Sequence, residues 1–193
     1  MRRHILRLFF RLDIITLSCF FQDKGVYNLH YQTTIDHFII RDATPKDCLQ
    51  IVRFIEELAL FEKFENLLTL TAEQIHDTLF IKKQAYCLIG EQNDFPVCFA
   101  IYFHNYSILT ARANIHIEAL FTPEKYRSRG YGSALMRCIA QIAELKGCKR
   151  IDWACLKWNT RAIAFYRSIG AYPLDDRDTY RMDADSIHNL ASC

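Results

Sequence analysis

Apolar residues recur at three- and four-residue intervals in several parts of the chain, and this spacing predicts amphipathic helices. The first helix starts at Thr44-Pro45 and continues through Phe61. A shorter one starts at Thr71, where Gln74 completes a capping box, and ends near residue 80. Two further helices are predicted from residue 135 to 147 and from residue 159 to 169.

Short apolar runs bounded by turn-prone residues predict strands between these helices. The three runs that lie between the second and third helices follow one another closely, so they predict an antiparallel meander. A strand, a glycine-bearing loop and a helix then form the centre of the domain. The predicted strands are residues 37–41, 85–90, 97–104, 113–121 and 151–156, with short segments near Ala171 and over 179–182.

The first 35 residues differ from the rest of the chain. Arg2, Arg3, Arg7 and Arg11 precede any acidic residue, and the apolar stretch that follows is interrupted by Asp13. This pattern resembles a transit peptide, or else an appended segment with no role in the fold. We therefore expect an N-terminal extension over residues 1–35, a single domain over 36–185 and a C-terminal tail over 186–193.

Composition and charge narrow the classes of function. The 193 residues are 51% hydrophobic and 24% charged, which is typical of a packed domain. The formal net charge is only +2, from 24 basic and 22 acidic residues, so no basic stripe for a nucleic acid is expected. No uninterrupted apolar stretch of about 18 residues occurs, so stable membrane association is not expected either.

The eight cysteines form no CxxC pairs, and several lie inside apolar runs. They are expected to be buried thiols in a reducing compartment rather than a disulfide framework or a zinc site. A cytoplasmic location follows, with mitochondrial targeting left open by the extension. No metal ligands are expected.

The segment Arg127 to Ser133 follows a strand and opens a helix, in the form Arg-x-x-Gly-x-Gly. Such a loop directs several backbone N–H groups at one point, where the helix dipole adds positive potential that suits a diphosphate. A glycine pair alone is also common in ordinary turns. No Gly-Lys-Ser/Thr follows it, and an antiparallel meander precedes it, so neither an NTP loop nor a dinucleotide fingerprint is indicated.

Several motifs follow one another in chain order as residues 40–44, 57–62, 99–102, 115–122, 127–133, 158–166 and 170–171. Together they resemble the GNAT acetyltransferase superfamily, and most closely its diamine (spermidine/spermine) and thialysine acetyltransferase branch. The resemblance spans residues 38–183 and implies the GNAT fold, an α/β (α+β) fold with a mixed, mostly antiparallel central sheet flanked by helices. It implies acetyl-CoA as co-substrate and a homodimer.

The resemblance also implies roles for individual residues. Glu118 would handle the amine proton, and Tyr166 would protonate the departing thiolate. Glu62, Glu118 and Asp178 would contact the amine, whereas Ala119 stands where that branch typically has Asp. The residues expected to bind acetyl-CoA are Leu120, Phe121, Thr122, Arg127, Ser128, Arg129, Gly130, Tyr131, Gly132, Ser133 and Asn159.

The resulting hypothesis is direct acetyl transfer, in a ternary complex, to a primary amine of a small molecule such as a polyamine, a diamine or a thialysine-like amine. Two other functions stay open: a catalytically silent CoA-binding module, and a protein lysine acetyltransferase. A covalent mechanism through Cys98 or Cys155 is disfavoured because neither thiol has a base adjacent in sequence.

Overall fold

A computed structural model of the protein describes residues 17–18 and 30–192. The chain forms two compact units, divided between Ala154 and Cys155. Most of the N-terminal extension lies outside the described residues, and so do Cys19 and Cys193.

Within the first unit, the described residues form a sheet of seven strands in the order β1-β2-β3-β4-β5-β6-β7. Neighbouring strands are antiparallel except β6 and β7, which are parallel. The predicted mixed, mostly antiparallel sheet is therefore confirmed. The strands are β1 Leu17–Ser18, β2 His30–Gln32, β3 Phe38–Asp42, β4 Tyr86–Gln92, β5 Phe95–Ser107, β6 Arg112–Phe121 and β7 Ile151–Trp153.

The helices that the spacing of apolar residues predicts are present in the structure. Thr44 is the N-cap of the 3-10 turn that leads into the first helix, as expected. Thr71 and Gln74 form the expected capping box, in which the Thr71 hydroxyl accepts from the Gln74 N–H at 3.3 Å. The α-helices are α1 Cys48–Glu62, α2 Ala72–His76, α3 Tyr131–Leu145, α4 Thr160–Ser168 and α5 Ala184–Ala191, of which α4 and α5 belong to the second unit.

The strand segments predicted near Ala171 and over 179–182 are wrong. The chain from 171 to 182 contains no strand, and residues 172–182 are exposed. Pro173 lacks an N–H for a ladder bond, and the run from Asp175 to Asp178 gives no apolar face to bury. The structure also contains α5, which the sequence pattern does not predict. This helix spans residues 185 and 186, between which the domain was expected to end and the tail to begin.

In the first unit, a helix packs on each face of the sheet. On one face, α1 contributes Ile51 and Phe54 to a buried cluster with residues of β4, β5 and β6. The Phe54 and Phe99 rings stack there with centroids 5.1 Å apart. On the opposite face α3 packs against β5 and β6 through its buried side, which includes Leu135 and Ile139.

The sheet begins before residue 36. His30, Tyr31 and Gln32 pair with Arg41, Ile40 and Ile39 of β3, and the Tyr31 side chain is fully buried. A buried aromatic residue on a paired strand stabilises the sheet edge that β3 would otherwise expose.

Two further expectations concern the cysteines, which were predicted to be buried thiols, and membrane-spanning helices, of which none was predicted. Cys48, Cys87, Cys98 and Cys138 are buried free thiols, as predicted, and Cys148 and Cys155 are half-buried and also free. Over residues 17–18 and 30–192, no helix has the length and apolar character that a membrane span requires.

We predict that Gly90→Ala destabilises the first unit by about 1–3 kcal/mol. A Cβ at this position would lie 2.4 Å from the Cys98 sulfur and 2.7 Å from the Phe38 ring, both in the core. Urea unfolding measures the change. Gly132→Ala is the control, because its Cβ would meet neighbours only at 3.8 Å or beyond. Equal midpoints for the two variants would contradict the prediction.

Candidate active site

Glu118 lies at a β-bulge, where the pairing of β5 with β6 shifts register. Ile101 pairs with Ala119 and Tyr102 pairs with Ile117, so Glu118 is the extra residue on β6. A bulge of this kind re-aims a side chain and is common beside active sites. Because of the shift, Glu118 and Ala119 both line a pocket on the α1 face of the sheet.

The Glu118 carboxylate is accessible, with 66% of its side chain exposed. One oxygen lies 4.0 Å from Nε2 of His116, which stands two residues earlier on the same strand. The His116 ring in turn packs on Phe103, with centroids 4.9 Å apart. The bulge thus presents a carboxylate at the surface beside an imidazole that is held by an aromatic ring.

The pocket that Glu118 lines has a volume of about 270 Å³, enough for a small ligand. Its wall is formed by α1, by the segment that follows α1, and by β5 and β6. Two carboxylates, Glu62 and Glu118, are the charged residues of this wall. The apolar lining residues are Ile55, Leu58, Ala59, Phe64, Leu67, Leu68, Ile101 and Ala119.

Glu62 is the last residue of α1, and the helix ends there because Lys63 adopts a left-handed conformation. Lys63 has φ 63°, and its N–H donates to the carbonyls of Ala59 and Leu60. This cap fixes the half-buried Glu62 at the pocket. Burial raises the pKa of the Glu62 carboxyl above its ordinary value. The structure therefore brings together two of the three residues predicted to contact an amine.

Sequence reasoning missed the pocket wall that follows α1. Phe64, Leu67 and Leu68 belong to a short 3-10 turn and its flanks rather than to a regular element. The available signal was the apolar run Phe64, Leu67, Leu68 and Leu70 in a segment too short for a core helix.

The loop before α3 has the geometry of an anion-binding turn. Ser128 and Gly130 have φ values of 63° and 84°, and Gly130 is the N-cap of α3. The first hydrogen bond of the helix runs from the Ala134 N–H to the Gly130 carbonyl at 3.0 Å. The N–H groups of residues 131–133 therefore have no acceptor within the helix, and they lie at the positive end of its dipole.

Glycine is strongly favoured at position 130. Its φ lies in the left-handed region, and a Cβ there would lie 3.2 Å from the Ile35 side chain. Ser128 occupies the same region without glycine's freedom, which costs about 1–2 kcal/mol of local strain. Arg129 is exposed beside this turn.

The end of β6 connects the bulge to this loop. β6 pairs with β7 only over residues 115–117, so residues 118–121 lie beyond the last pair. Leu120 faces α3, since a Cβ on Gly132 would lie 3.8 Å from its side chain. The Thr122 hydroxyl is buried and has no hydrogen-bond partner among the described residues. The Thr122 carbonyl accepts from Nε of Arg127 at 3.0 Å.

Three predicted site residues belong to the second unit. Asn159 is the N-cap of α4, and its Oδ1 accepts from the Ala162 N–H at 3.2 Å, as a helix-capping residue does. Tyr166 lies half-buried on α4, next to Phe165, with ring centroids 5.5 Å apart. Asp178 is exposed in the irregular segment before α5.

We expect Lys63→Gly to be more stable than Lys63→Ala by about 0.5–1 kcal/mol. Both variants remove the same charge and side chain, but only glycine tolerates φ 63° at this helix end without strain. Thermal or urea unfolding of the pair measures the difference. A more stable alanine variant would show that Lys63 does not hold the left-handed conformation.

Comparison with known proteins identifies the family. The Acetyltransferase (GNAT) family profile matches residues 52–171, which include β4 to β7, the bulge and the loop. The chain belongs to the GNAT acetyltransferase family. This GNAT protein is 31% identical over 165 residues to the thialysine N-epsilon-acetyltransferase of Bos taurus, covering 79% of this chain and 96% of that protein.

One further relative supports the assignment, and one solved structure shows the fold. The chain is 31% identical over 171 residues to the spermidine/spermine N(1)-acetyltransferase-like protein 1 of Homo sapiens, covering 83% of this chain and 24% of that protein. An integron cassette protein from the mobile metagenome of V. cholerae superposes with a TM-score of 0.69 at 24% identity. That match covers 81% of this chain and 99% of the cassette protein, and it shows the fold.

The predicted family, fold and N-acetyltransferase class are therefore confirmed. In the part of the chain that the structure describes, no cluster of three or more His, Cys, Asp or Glu side chains could hold a metal ion.

Proposed function

We propose that the protein transfers an acetyl group from acetyl-CoA to a primary amine of a small molecule, and that the amine is held by Glu62 and Glu118. The observation that carries the proposal is the pocket between α1 and β6, in which two carboxylates stand in an otherwise apolar wall. A protonated amine is attracted by carboxylates, and its carbon chain gains from apolar burial.

The residues near α3 fit the phosphate groups of CoA. Three backbone N–H groups at the start of a 15-residue helix point toward one region, and Arg129 adds an exposed positive charge. The Thr122 hydroxyl, to which no other described residue forms a hydrogen bond, and the strand end beyond the last β6–β7 pair offer further polar groups along the same path. In our proposal residues 120–122 contact the pantetheine arm, and residues 128–133 contact the diphosphate.

Acetyl-CoA, when bound, supplies the activated thioester that makes acyl transfer to nitrogen favourable. Glu118 orients the ammonium group and accepts its proton, directly or through a water, because only the neutral amine is nucleophilic. The nitrogen then forms a bond to the carbonyl carbon as the carbon–sulfur bond breaks, and it loses a second proton through solvent, which balances the proton that the departing thiolate takes up. Tyr166 donates its phenolic proton to the departing thiolate, a role that rests on the resemblance to the superfamily.

This scheme needs no acyl-enzyme. Cys98 is fully buried on β5, and burial raises the pKa of its thiol, so the thiolate required of a nucleophile is disfavoured. Direct transfer predicts intersecting lines when initial rates are measured against both substrates. Parallel lines would instead require a covalent acetyl-enzyme.

The pocket and two relatives support the proposed class of acceptor. Those relatives are named for thialysine and for spermidine/spermine, both of which carry primary amines on flexible chains. Ala119, beside Glu118, stands where the diamine branch typically has Asp. This wall therefore has two carboxylates where that branch would have three. A smaller cation with one or two amines therefore fits better than a long polyamine.

A release assay for the CoA thiol tests the proposal. Acetyl-CoA is combined with putrescine, spermidine, spermine, thialysine, lysine or a histone-tail peptide. We expect turnover of at least one free amine and none of the peptide. Turnover of the peptide alone would support a protein lysine acetyltransferase, and silence with every acceptor while CoA still binds would support a binding module.

Glu62→Gln is expected to weaken amine binding while stabilising the fold. The raised pKa of Glu62 means that folding penalises its ionised form, and this penalty is fully present above the folded-state pKa. The penalty disappears as the pH falls below the unfolded-state pKa. The variant should therefore gain stability at pH 8, lose that gain at acidic pH, and show a higher KM for the amine.

Urea unfolding at pH 8 and at acidic pH, together with amine kinetics, measures both effects. Glu144→Gln on the exposed side of α3 is the matched control. An unchanged KM for the amine would remove Glu62 from the proposed site.

We also propose that the protein is a homodimer, as the resemblance to the diamine branch implies. Sedimentation at micromolar concentration tests this, with twice the 22.7 kDa chain mass as the expected result. A monomer over the whole concentration range would contradict it.

A further inference from the structure

Arg127 is the first residue of the loop that leads to α3, yet its side chain lies against α1 and the end of β6. The guanidinium carbon lies 4.3 Å from the centroid of the Phe61 ring and 5.7 Å from that of Phe121. Its Nε donates to the Thr122 carbonyl at 3.0 Å. We call these three contacts the Arg127 clasp.

The aromatic partners of the clasp adjoin the pocket that holds Glu62 and Glu118. Phe61 precedes Glu62 in the last turn of α1, and Phe121 lies on the same face of β6 as Ala119. The two rings are 6.3 Å apart and tilted by 45°. The clasp therefore connects the last turn of α1 to the end of β6.

A guanidinium group is suited to this position in a way that an ammonium group is not. It is planar, it stacks on aromatic faces, and its Nε–H can donate sideways to a carbonyl while the plane covers a ring. The backbone N–H of Arg127 is also engaged, donating to the Glu124 carbonyl at 3.1 Å. The loop residue is thereby fixed at both its backbone and its side chain.

We propose that Arg127 is a positioning residue for the amine pocket: its side chain holds the last turn of α1 against β6 and so sets the place of Glu62. This inference rests on the proposed function for the identity of the ligand. In this arrangement the N-terminus of α3 and Arg129 attract the CoA phosphates, whereas the side chain of Arg127 positions the amine pocket.

The experiment compares Arg127→Lys and Arg127→Met with Arg129→Lys and Arg129→Met as matched controls. Amide hydrogen exchange over residues 57–68, CoA affinity by calorimetry, and steady-state kinetics with the best amine of the panel are measured. Both Arg127 variants should exchange about fivefold faster at the end of α1 and keep the CoA Kd within about twofold. The KM for the amine should rise about fivefold while that for acetyl-CoA stays constant.

Phe61→Leu tests the same contact from the other side. It should reproduce the faster exchange, and combining it with Arg127→Lys should add little, because both changes remove one interaction. The Arg129 variants should leave exchange unchanged; Arg129→Met should weaken CoA binding.

Two results would overturn the inference. One is unchanged exchange in Arg127→Lys and Arg127→Met. The other is a CoA affinity that Arg127→Met loses and Arg127→Lys retains, since a rescue by any positive charge identifies a phosphate contact. Hydrogen exchange and calorimetry require no turnover, so an enzyme inactive on every amine would count against the proposed function and would leave these readouts to decide the role of Arg127.

Discussion

Glu118→Gln is expected to lower kcat by about 100- to 1,000-fold, which lies within the roughly 100- to 10,000-fold that a positioned general base contributes. Glutamine keeps the shape of the side chain at the β-bulge but cannot accept the proton of the ammonium group. The loss should be greatest near neutral pH and should shrink at alkaline pH, where more of the amine is already neutral. Initial rates from pH 6.5 to 10 measure it.

The control for this prediction is Glu144→Gln, which makes the same chemical change on the exposed side of α3. Binding of CoA to Glu118→Gln should be unchanged, because the carboxylate lies on the amine side of the proposed site. A Glu118→Gln enzyme with wild-type kcat throughout this pH range would remove Glu118 from the mechanism.

Tyr166→Phe is expected to lower kcat by about 100-fold while leaving the affinity for CoA unchanged. The substitution deletes one hydroxyl from α4 and keeps the ring, so the loss reports the proton donated to the thiolate. Solvent-isotope effects and kcat on the variant measure this step.

Tyr172→Phe provides the control for Tyr166→Phe. It removes a hydroxyl from the same unit at a side chain that is 79% exposed. Equal activity of the two variants, both close to wild type, would show that Tyr166 is not the proton donor. Loss of CoA binding in Tyr166→Phe would assign the hydroxyl to binding instead of chemistry.

The meander and its helices could be predicted from the sequence because their signals are local. Alternating apolar runs separated by turn residues specify β4, β5 and β6, and the Thr71–Gln74 capping box starts α2. The buried position of Cys98 also followed from the apolar run around it. Such features depend on a few neighbouring residues, so the sequence contains the information needed to place them.

The bulge at Glu118 could not be predicted, because it is a property of the register between two strands. Only the pairing of Ile101 with Ala119 and of Tyr102 with Ile117 reveals the extra residue. Likewise, the meeting of Glu62 and Glu118 in one pocket joins residues 56 positions apart in the chain. Both carboxylates were expected to contact an amine from the resemblance alone.

The errors and omissions near the C-terminus have a different origin. Segments of two to four residues, such as 179–182, carry too few positions for an alternating pattern to be distinguished from an exposed loop. Helix α5 has an Asp183 cap whose carboxylate accepts from the Ser186 N–H at 2.8 Å. That cap signal is present in the sequence, but the short and weakly apolar segment behind it does not by itself predict a helix.

Acetyl transfer to an amine is tested most directly by identifying the product formed from acetyl-CoA labelled in its acetyl group. We predict that mass spectrometry finds the label as an amide on the primary amine of a small acceptor, with one free CoA thiol per amide and none formed without the amine. Acetyl-CoA that binds but labels no amine, or label found only on the protein itself, would contradict the proposed transfer.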